Sequence, residues 1–219
     1  MNEIKTMFNN LAKNYDFFNN IISFGFHIHV RKVAIKTLNI QDGTTVLDLC
    51  CGTGDFGKTV KQISPKCEVI GVDFSEEMLK IAKEKNKNIK YFLQDATAMN
   101  FENNRFDYVI MGFGLRNIPD KEAVMKEINR VLKPNGKILQ LDFGEKSFFN
   151  TVYNTVILNL IGLFTKESAP FKYLIKSKNG FLPPNQLSVL FEKFGFKTES
   201  INYLLFRVIS FQIYKKVTD

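Results

Sequence analysis

The chain has 219 residues, 45% hydrophobic and 24% charged, a balance that excludes a disordered polymer and supplies one domain with enough apolar surface for a buried core. Against 22 Asp and Glu stand 30 Lys and Arg, a formal net charge of +8. This favours anionic partners (nucleic acid, acidic lipid or an acidic small molecule), although a Lys- and Asn-rich composition gives the same sign with no partner at all. Cys50, Cys51 and Cys67 form neither a secreted disulfide framework nor a zinc spacing, so reduced thiols in a cytoplasmic setting are expected. The first residues lack the apolar run of a signal peptide.

Residues 1–40 read as helical, with Phe8, Leu11, Ala12, Tyr15, Phe18 and Ile22 on one face and Val33, Ala34, Ile35 and Leu38 following a turn at Gly25. From residue 44 to 143 short apolar runs alternate with helical patterns, which predicts a doubly wound α/β sheet, mostly parallel. Strands are expected at 45–49, 68–73, 89–93, 106–112 and 137–143, and helices at 54–63, 75–85 and 120–132. Ser75 suits an N-cap, and Lys133-Pro134-Asn135-Gly136 a turn into the fifth strand. The segment 148–164 is apolar but interrupted by Asn150, Asn154 and Asn159. It falls short of the roughly 20 apolar residues of a membrane span and reads as an amphipathic helix. A helix at 185–194 and an antiparallel pair at 196–204 and 206–215 complete the pattern.

The run Val46-Leu47-Asp48-Leu49-Cys50-Cys51-Gly52-Thr53-Gly54-Asp55 is a buried strand, a glycine turn and a helix start, which lets a ligand approach the backbone closely. Gly52 to Gly57 also satisfies the G-x-G-x-x-G dinucleotide fingerprint, with Asp73 as the acid about 20 residues on. A pyrophosphate there would meet Asp55 and Asp48, each repulsion costing on the order of 4 kcal/mol at about 4 Å. An ammonium and a sulfonium would be attracted instead, which points to S-adenosylmethionine. Asp73, followed by Phe74, ends the second strand where a carboxylate can accept ribose hydroxyls, and Asp95 ends the third near an adenine amino group. Met78 suits either the adenine face or the core. The fourth strand runs into Gly112-Phe113-Gly114-Leu115-Arg116-Asn117, where Arg116 suits either a site or a surface salt bridge. His27 and His29 lack a third metal ligand, so no metal is expected. Tyr15 and Asp16 suit a core position or a lid over a site.

Together these motifs resemble the ubiquinone/menaquinone biosynthesis C-methyltransferase family over nearly the whole chain. The opening Tyr15-Asp16, Ser23-Phe24-Gly25, His27 and Arg31-Lys32, the run Phe113 to Asn117, Arg130 to Pro134 and Leu141-Asp142-Phe143 carry the resemblance. It implies a class I methyltransferase sheet ending in an antiparallel pair, with S-adenosylmethionine as cofactor. It further implies that Thr53, Asp73, Asp95, Ala96 and Gly112 contact the cofactor, beside Asp48, Gly52, Gly54, Phe74 and Met78. Arg116 and Asn117 are expected at the reacting ring of a polyprenyl quinol, with Tyr15 and His27 on the substrate side. One domain is expected, laid out as a helical cap (1–40), a cofactor-binding core (41–147), a substrate-side helical insertion (148–184) and a C-terminal helix with its strand pair (185–219). Peripheral contact with the inner face of a membrane and a homodimer are expected; a nucleic-acid partner is not, since no aromatic-basic stacking motif is present. The family's usual tryptophan, serine, glycine and histidine are replaced at Val30, Gly112, Arg207 and Gln212, which leaves another small aromatic or lipid acceptor as the alternative.

Overall fold

A computed structural model describes residues 2–145, 152, 156 and 169–217. The seven strands are β1 (Thr45–Leu49), β2 (Glu68–Asp73), β3 (Lys90–Leu93), β4 (Phe106–Gly112), β5 (Leu132–Phe143), β6 (Phe196–Leu204) and β7 (Ile209–Lys216). They form one sheet in the order β3-β2-β1-β4-β5-β7-β6. The first five are parallel, and β7 runs antiparallel to both β5 and β6. The order reverses between β1 and β4, and such a switch point opens a crevice at the carboxyl ends of the strands. Helices cover both faces, so central strands are buried on both sides: Val46, Leu47, Asp48 and Leu49 are all buried.

The helices are α1 (Asn2–Leu11), α2 (Tyr15–Ser23), α3 (Phe26–Leu38), α4 (Asp55–Ile63), α5 (Glu76–Lys85) and α6 (Lys121–Val131), followed by Ala169–Asn179 and Pro184–Lys193. Ser75 Oγ caps α5 by accepting from Met78 N at 3.2 Å, and Asp120 caps α6 through Ala123 N at 2.9 Å. Of the expected amphipathic segment 148–164, only Val152 and Val156 belong to the described residues, and both are helical. No helix among the described residues is long and apolar enough to cross a membrane.

Several boundaries move for physical reasons. Lys133 to Gly136 does not separate α6 from β5. Phe106 pairs with Leu132 and Tyr108 with Lys137, so the turn bulges out of a strand that has already begun. Asn135 takes φ 62° at that bulge. β7 starts at Ile209 rather than 206, because Leu205, Phe206 and Arg207 all occupy the left-handed region, with φ 51°, 53° and 67°. Left-handed backbone costs a side-chain-bearing residue about 1–2 kcal/mol. The N-terminal apolar stripe is not one helix against the core. A 3₁₀ turn at Ala12–Asn14 breaks it, and Phe8, Leu11, Tyr15, Phe18 and Ile22 line a cavity over the strand ends.

Candidate active site

After β1 the chain turns on itself through left-handed Cys50, Gly52 and Gly54, with φ 58°, 53° and 81°. A Cβ at Gly54 would collide with the Tyr91 hydroxyl, so only glycine closes the turn there. Asp48 lies beneath this loop, 1% exposed, and its Oδ2 accepts from Gly57 N at 2.8 Å. It pins α4 to β1. Burial lifts its pKa to about 7 against the opposing Gly57 hydrogen bond. An acid whose folded pKa is raised favours the folded state below its unfolded pKa and loses that contribution as pH rises toward 7. Asp48→Asn keeps an acceptor for Gly57 but cannot ionise. Comparative denaturant melts between pH 4 and pH 8 should therefore show a flatter stability profile for the variant; parallel profiles would mean that Asp48 is not protonated in the fold.

Asp73, at the end of β2, accepts from Gly52 N at 2.8 Å and from Ser75 N at 2.9 Å. Burial pushes its pKa up despite these bonds. Each oxygen keeps a further lone-pair direction, as a carboxylate offers about four. Phe74 beside it meets Phe8 of α1 edge-on at 6.1 Å, and Met78, 2% exposed, faces the same cavity. Asp95 Oδ1 accepts from Thr97 N at 2.9 Å and Thr97 Oγ1 at 2.7 Å. A carboxylate beside a left-handed glycine loop, with Phe74 and Met78 as apolar walls, suits a nucleoside whose hydroxyls and base edge need acceptors.

The N-terminal helices are fastened to this loop by charge. Thr53 Oγ1 donates to Asp16 Oδ1 at 2.8 Å, and Lys85 Nζ reaches Asp16 at 2.8 Å and Asp55 at 2.7 Å. Arg31 lies 3.1 Å from Asp55. Burial raises the Asp55 pKa, but Arg31 and Lys85 outweigh it and hold the carboxyl below its usual value. Asp55 is thus not the unpaired charge assumed in weighing pyrophosphate against sulfonium; two cations already neutralise it. Lys85 and Asp16 were legible only as isolated charges, because their meeting depends on α2 folding over α5.

Across the cavity, Arg116 Nη1 contacts Asp142 Oδ1 at 2.9 Å, with the two side chains 8% and 2% exposed. It is a buried pair, neither a surface bridge nor a free cation. Its guanidinium lies 5.6 Å from the Phe113 ring centre and 5.3 Å from that of Phe143. Burial raises the Asp142 pKa, and Arg116 opposes that shift. Among the described residues, Arg116 Nε and Asp142 Oδ2 have no hydrogen-bond partner. Asn117 Nδ2 donates to Phe113 O at 3.2 Å, and its Oδ1 accepts from the Tyr173 hydroxyl at 3.0 Å. Neither Asp142 nor Tyr173 was singled out as a site residue, although a carboxylate near the end of the apolar β5 run was a usable signal.

These groups surround one cavity of about 520 Å³, within the usual range for small-molecule sites. All the expected site residues line it except Asp48, Gly54 and Gly112, which stand behind the wall. At Gly112 a Cβ would collide with the Phe56 ring, so this glycine admits Phe56 to the wall rather than touching a ligand. Tyr15 lies over Gly52, and burial raises its pKa. His27 sits on α3. Its Nδ1 is 2.5 Å from Ser23 Oγ, and burial followed by the Arg31 charge lowers its pKa. Of the four departures from the family pattern, Val30 lines the cavity and Gly112, Arg207 and Gln212 do not.

The ubiE/COQ5 methyltransferase family matches residues 1–216. The chain belongs to that family. It is an S-adenosylmethionine-dependent methyltransferase. It is 40% identical over 204 residues to the demethylmenaquinone methyltransferase of Staphylococcus aureus (strain JH9), covering 89% of this chain and 85% of the relative. Solved structures share the fold at lower identity. A SAM-dependent methyltransferase from Aquifex aeolicus gives a TM-score of 0.65 at 18% identity, covering 86% of this chain and 89% of that one. A Haemonchus contortus phosphoethanolamine N-methyltransferase 2 in complex with S-adenosyl-L-methionine gives 0.66 at 20%, covering 87% and 53%.

Proposed function

We propose that this family member methylates a ring carbon of a polyprenyl hydroquinone, demethylmenaquinol or a close relative. The observation that carries the reading is the buried Arg116–Asp142 pair, whose Arg116 lies by the Phe113 and Phe143 rings and lines the same cavity as Asp73 and Asp95. A flat aromatic acceptor suits that phenylalanine frame. The apolar side chains of α1 and α2 along the cavity suit an isoprenoid tail.

Gly52, Thr53, Asp73, Phe74, Met78, Asp95 and Ala96 would hold S-adenosylmethionine, which supplies an electrophilic methyl group on sulfonium. Arg116 acts on the acceptor. A hydroquinone ring carbon becomes nucleophilic when the neighbouring hydroxyl loses its proton to water, and a guanidinium fixed beforehand by Asp142 stabilises the resulting oxyanion without reorganising; once methylated, the ring carbon gives up its own proton to water and the ring regains aromaticity. Asn117, its amide oriented by Tyr173 and Phe113, fixes the position of the ring. Catalysis then rests mainly on alignment of ring carbon and methyl group. Because the acceptor is a lipid, contact with the inner face of the membrane belongs to the same reading.

The test is methyl transfer to a panel of short-chain demethylquinols, reduced in place. Methylation of a hydroquinone at its unsubstituted ring carbon, and none of the oxidised quinone, is expected. A protein that binds S-adenosylmethionine but methylates no member of the panel would sink the reading.

A further inference from the structure

Strands β5 and β7 carry a buried polar square beside the site. Gln140 stands opposite Gln212, and Asp142 opposite Ser210, in the antiparallel register. Residues two apart on a strand face the same way, so all four side chains share one face of the sheet. None is more than 2% exposed, and none lines the cavity. Along the same face Ile138 and Tyr214 pack in one core with Leu187 and Phe191, so apolar side chains fit there.

The hydrogen bonding of the square is incomplete. Gln212 Nε2 donates to Ser210 Oγ at 2.9 Å, and Ser210 Oγ to Phe143 O at 3.4 Å. Asp142 takes its bonds from Arg116 Nη1 and Phe143 N through Oδ1 alone. Among the described residues, five buried side-chain atoms have no partner: Gln140 Nε2, Gln140 Oε1, Gln212 Oε1, Asp142 Oδ2 and Arg116 Nε. Every one belongs to this square or to the arginine it meets. A buried donor or acceptor left unpaired costs stability, and apolar side chains of the same shape would avoid that cost. Packing alone therefore does not select two glutamines here.

Their unpaired atoms match one another. An amide nitrogen carries two hydrogens. Gln140 Nε2 has two unpaired acceptors as neighbours: Gln212 Oε1 across the strand pair, and Asp142 Oδ2 two residues along its own strand. Opposite side chains stand about 5 Å apart at Cβ, and same-face neighbours about 7 Å apart along a strand, spans that a glutamine can bridge. An oxyanion forming on the acceptor competes with Asp142 for the Arg116 guanidinium. A buried carboxylate that loses part of its counter-charge takes up a proton unless another donor reaches it. A neutral carboxyl no longer anchors an arginine.

We infer that Gln140 is a positioning residue: its amide donates to Asp142 Oδ2 when Arg116 turns to the acceptor, and Gln212 holds that amide in place. Asp142 then stays ionised and Arg116 stays aimed throughout the reaction. The effect on methyl transfer rests on the quinol reading; the coupling between Gln140 and Arg116 does not.

Gln140→Met keeps the length of the side chain and cannot donate. In the parent it should leave the melting temperature unchanged or raise it, because it removes two unpaired polar atoms. In an Arg116→Ala background, where Asp142 depends on Gln140, the same substitution should lower the melting temperature by about 4 °C or more. The sign of the effect reverses between backgrounds, a coupling that a packing role does not produce. Arg116→Gln supplies a second background should the alanine variant not fold. With Arg116 in place, Gln140→Met should bind S-adenosylmethionine in calorimetry as the parent does. Its single-turnover transfer to a demethylquinol should be about tenfold slower, the worth of one hydrogen bond to a charged group. The same sign of stability change in both backgrounds overturns the inference, and so does a parental single-turnover rate in Gln140→Met. A sign reversal in a protein that methylates no quinol leaves the action of Gln140 on Asp142 standing and refutes the acceptor.

Discussion

Arg116→Ala is expected to slow single-turnover methyl transfer by about a hundredfold to a thousandfold at saturating cofactor, the usual cost of losing one preorganised donor at a developing oxyanion. The structure adds a complication that the variant must face. Removing the guanidinium leaves Asp142 buried and unpaired, which costs about 3–5 kcal/mol of stability where an ion pair is broken from one side. A slow Arg116→Ala enzyme could therefore be slow because it is loosened. Replacing both partners separates the two effects, since exchanging a buried pair for apolar side chains is often neutral or stabilising. Arg116→Met/Asp142→Leu should recover most of the thermal stability and none of the rate. Arg116→Lys should recover part of the rate, because an ammonium keeps the charge but loses the planar fork. Near-parental rates in the double variant would retire Arg116 as a catalytic residue, whatever the melts show.

The second large effect lies on the cofactor side. Asp73→Ala should weaken S-adenosylmethionine binding by about 2 kcal/mol, roughly thirtyfold, through loss of charge-assisted hydrogen bonds. Asp73 also ties the glycine loop to the start of α5 through Gly52 and Ser75, so some of that loss comes from a loosened loop. Asp73→Asn distinguishes the contributions. It retains one acceptor oxygen, and its affinity should fall between parent and alanine variant while its melting behaviour stays closer to the parent. Unchanged calorimetric affinity in a folded Asp73→Ala protein would remove the ribose assignment.

What was legible in the sequence follows from how local each signal is. Strands β1, β2 and β4 were placed correctly because buried parallel strands read as short apolar runs closed by glycine or a polar residue, a purely local pattern. Ser75 announced its own helix for the same reason. The bulge at Lys133 to Gly136 was read as a turn between helix and strand because a Pro-Asn-Gly run marks a turn without saying whether pairing has already begun. Among site residues, those at strand ends were legible because an open parallel sheet gathers its carboxyl ends at one edge. Asp48 was misplaced because its position one turn before the glycines does not reveal whether it points at a ligand or at Gly57 N. Asp142 stands at such a strand end and was a readable signal left unused, whereas Tyr173 and the Asp16–Lys85 contact were missed for a different reason. Each depends on elements far apart in the chain meeting in space, and no spacing rule encodes that.

The N-terminal helices have a consequence for the pace of the reaction. They wall the cavity, and the polar ties that fasten them to the rest of the fold include Asn9 to Ser75, Thr53 and Lys85 to Asp16, and Arg31 to Asp55. The sheet beneath is held by continuous ladders from β3 to β6. Side-chain ties of this kind open more readily than a hydrogen-bonded ladder, so local opening of α1 and α2 is expected before any loss of the floor. Exchange of spent donor for fresh would then be clocked by that door rather than by bond making. A substitution in α1 that touches neither reactant would still set how many turnovers the enzyme completes each second.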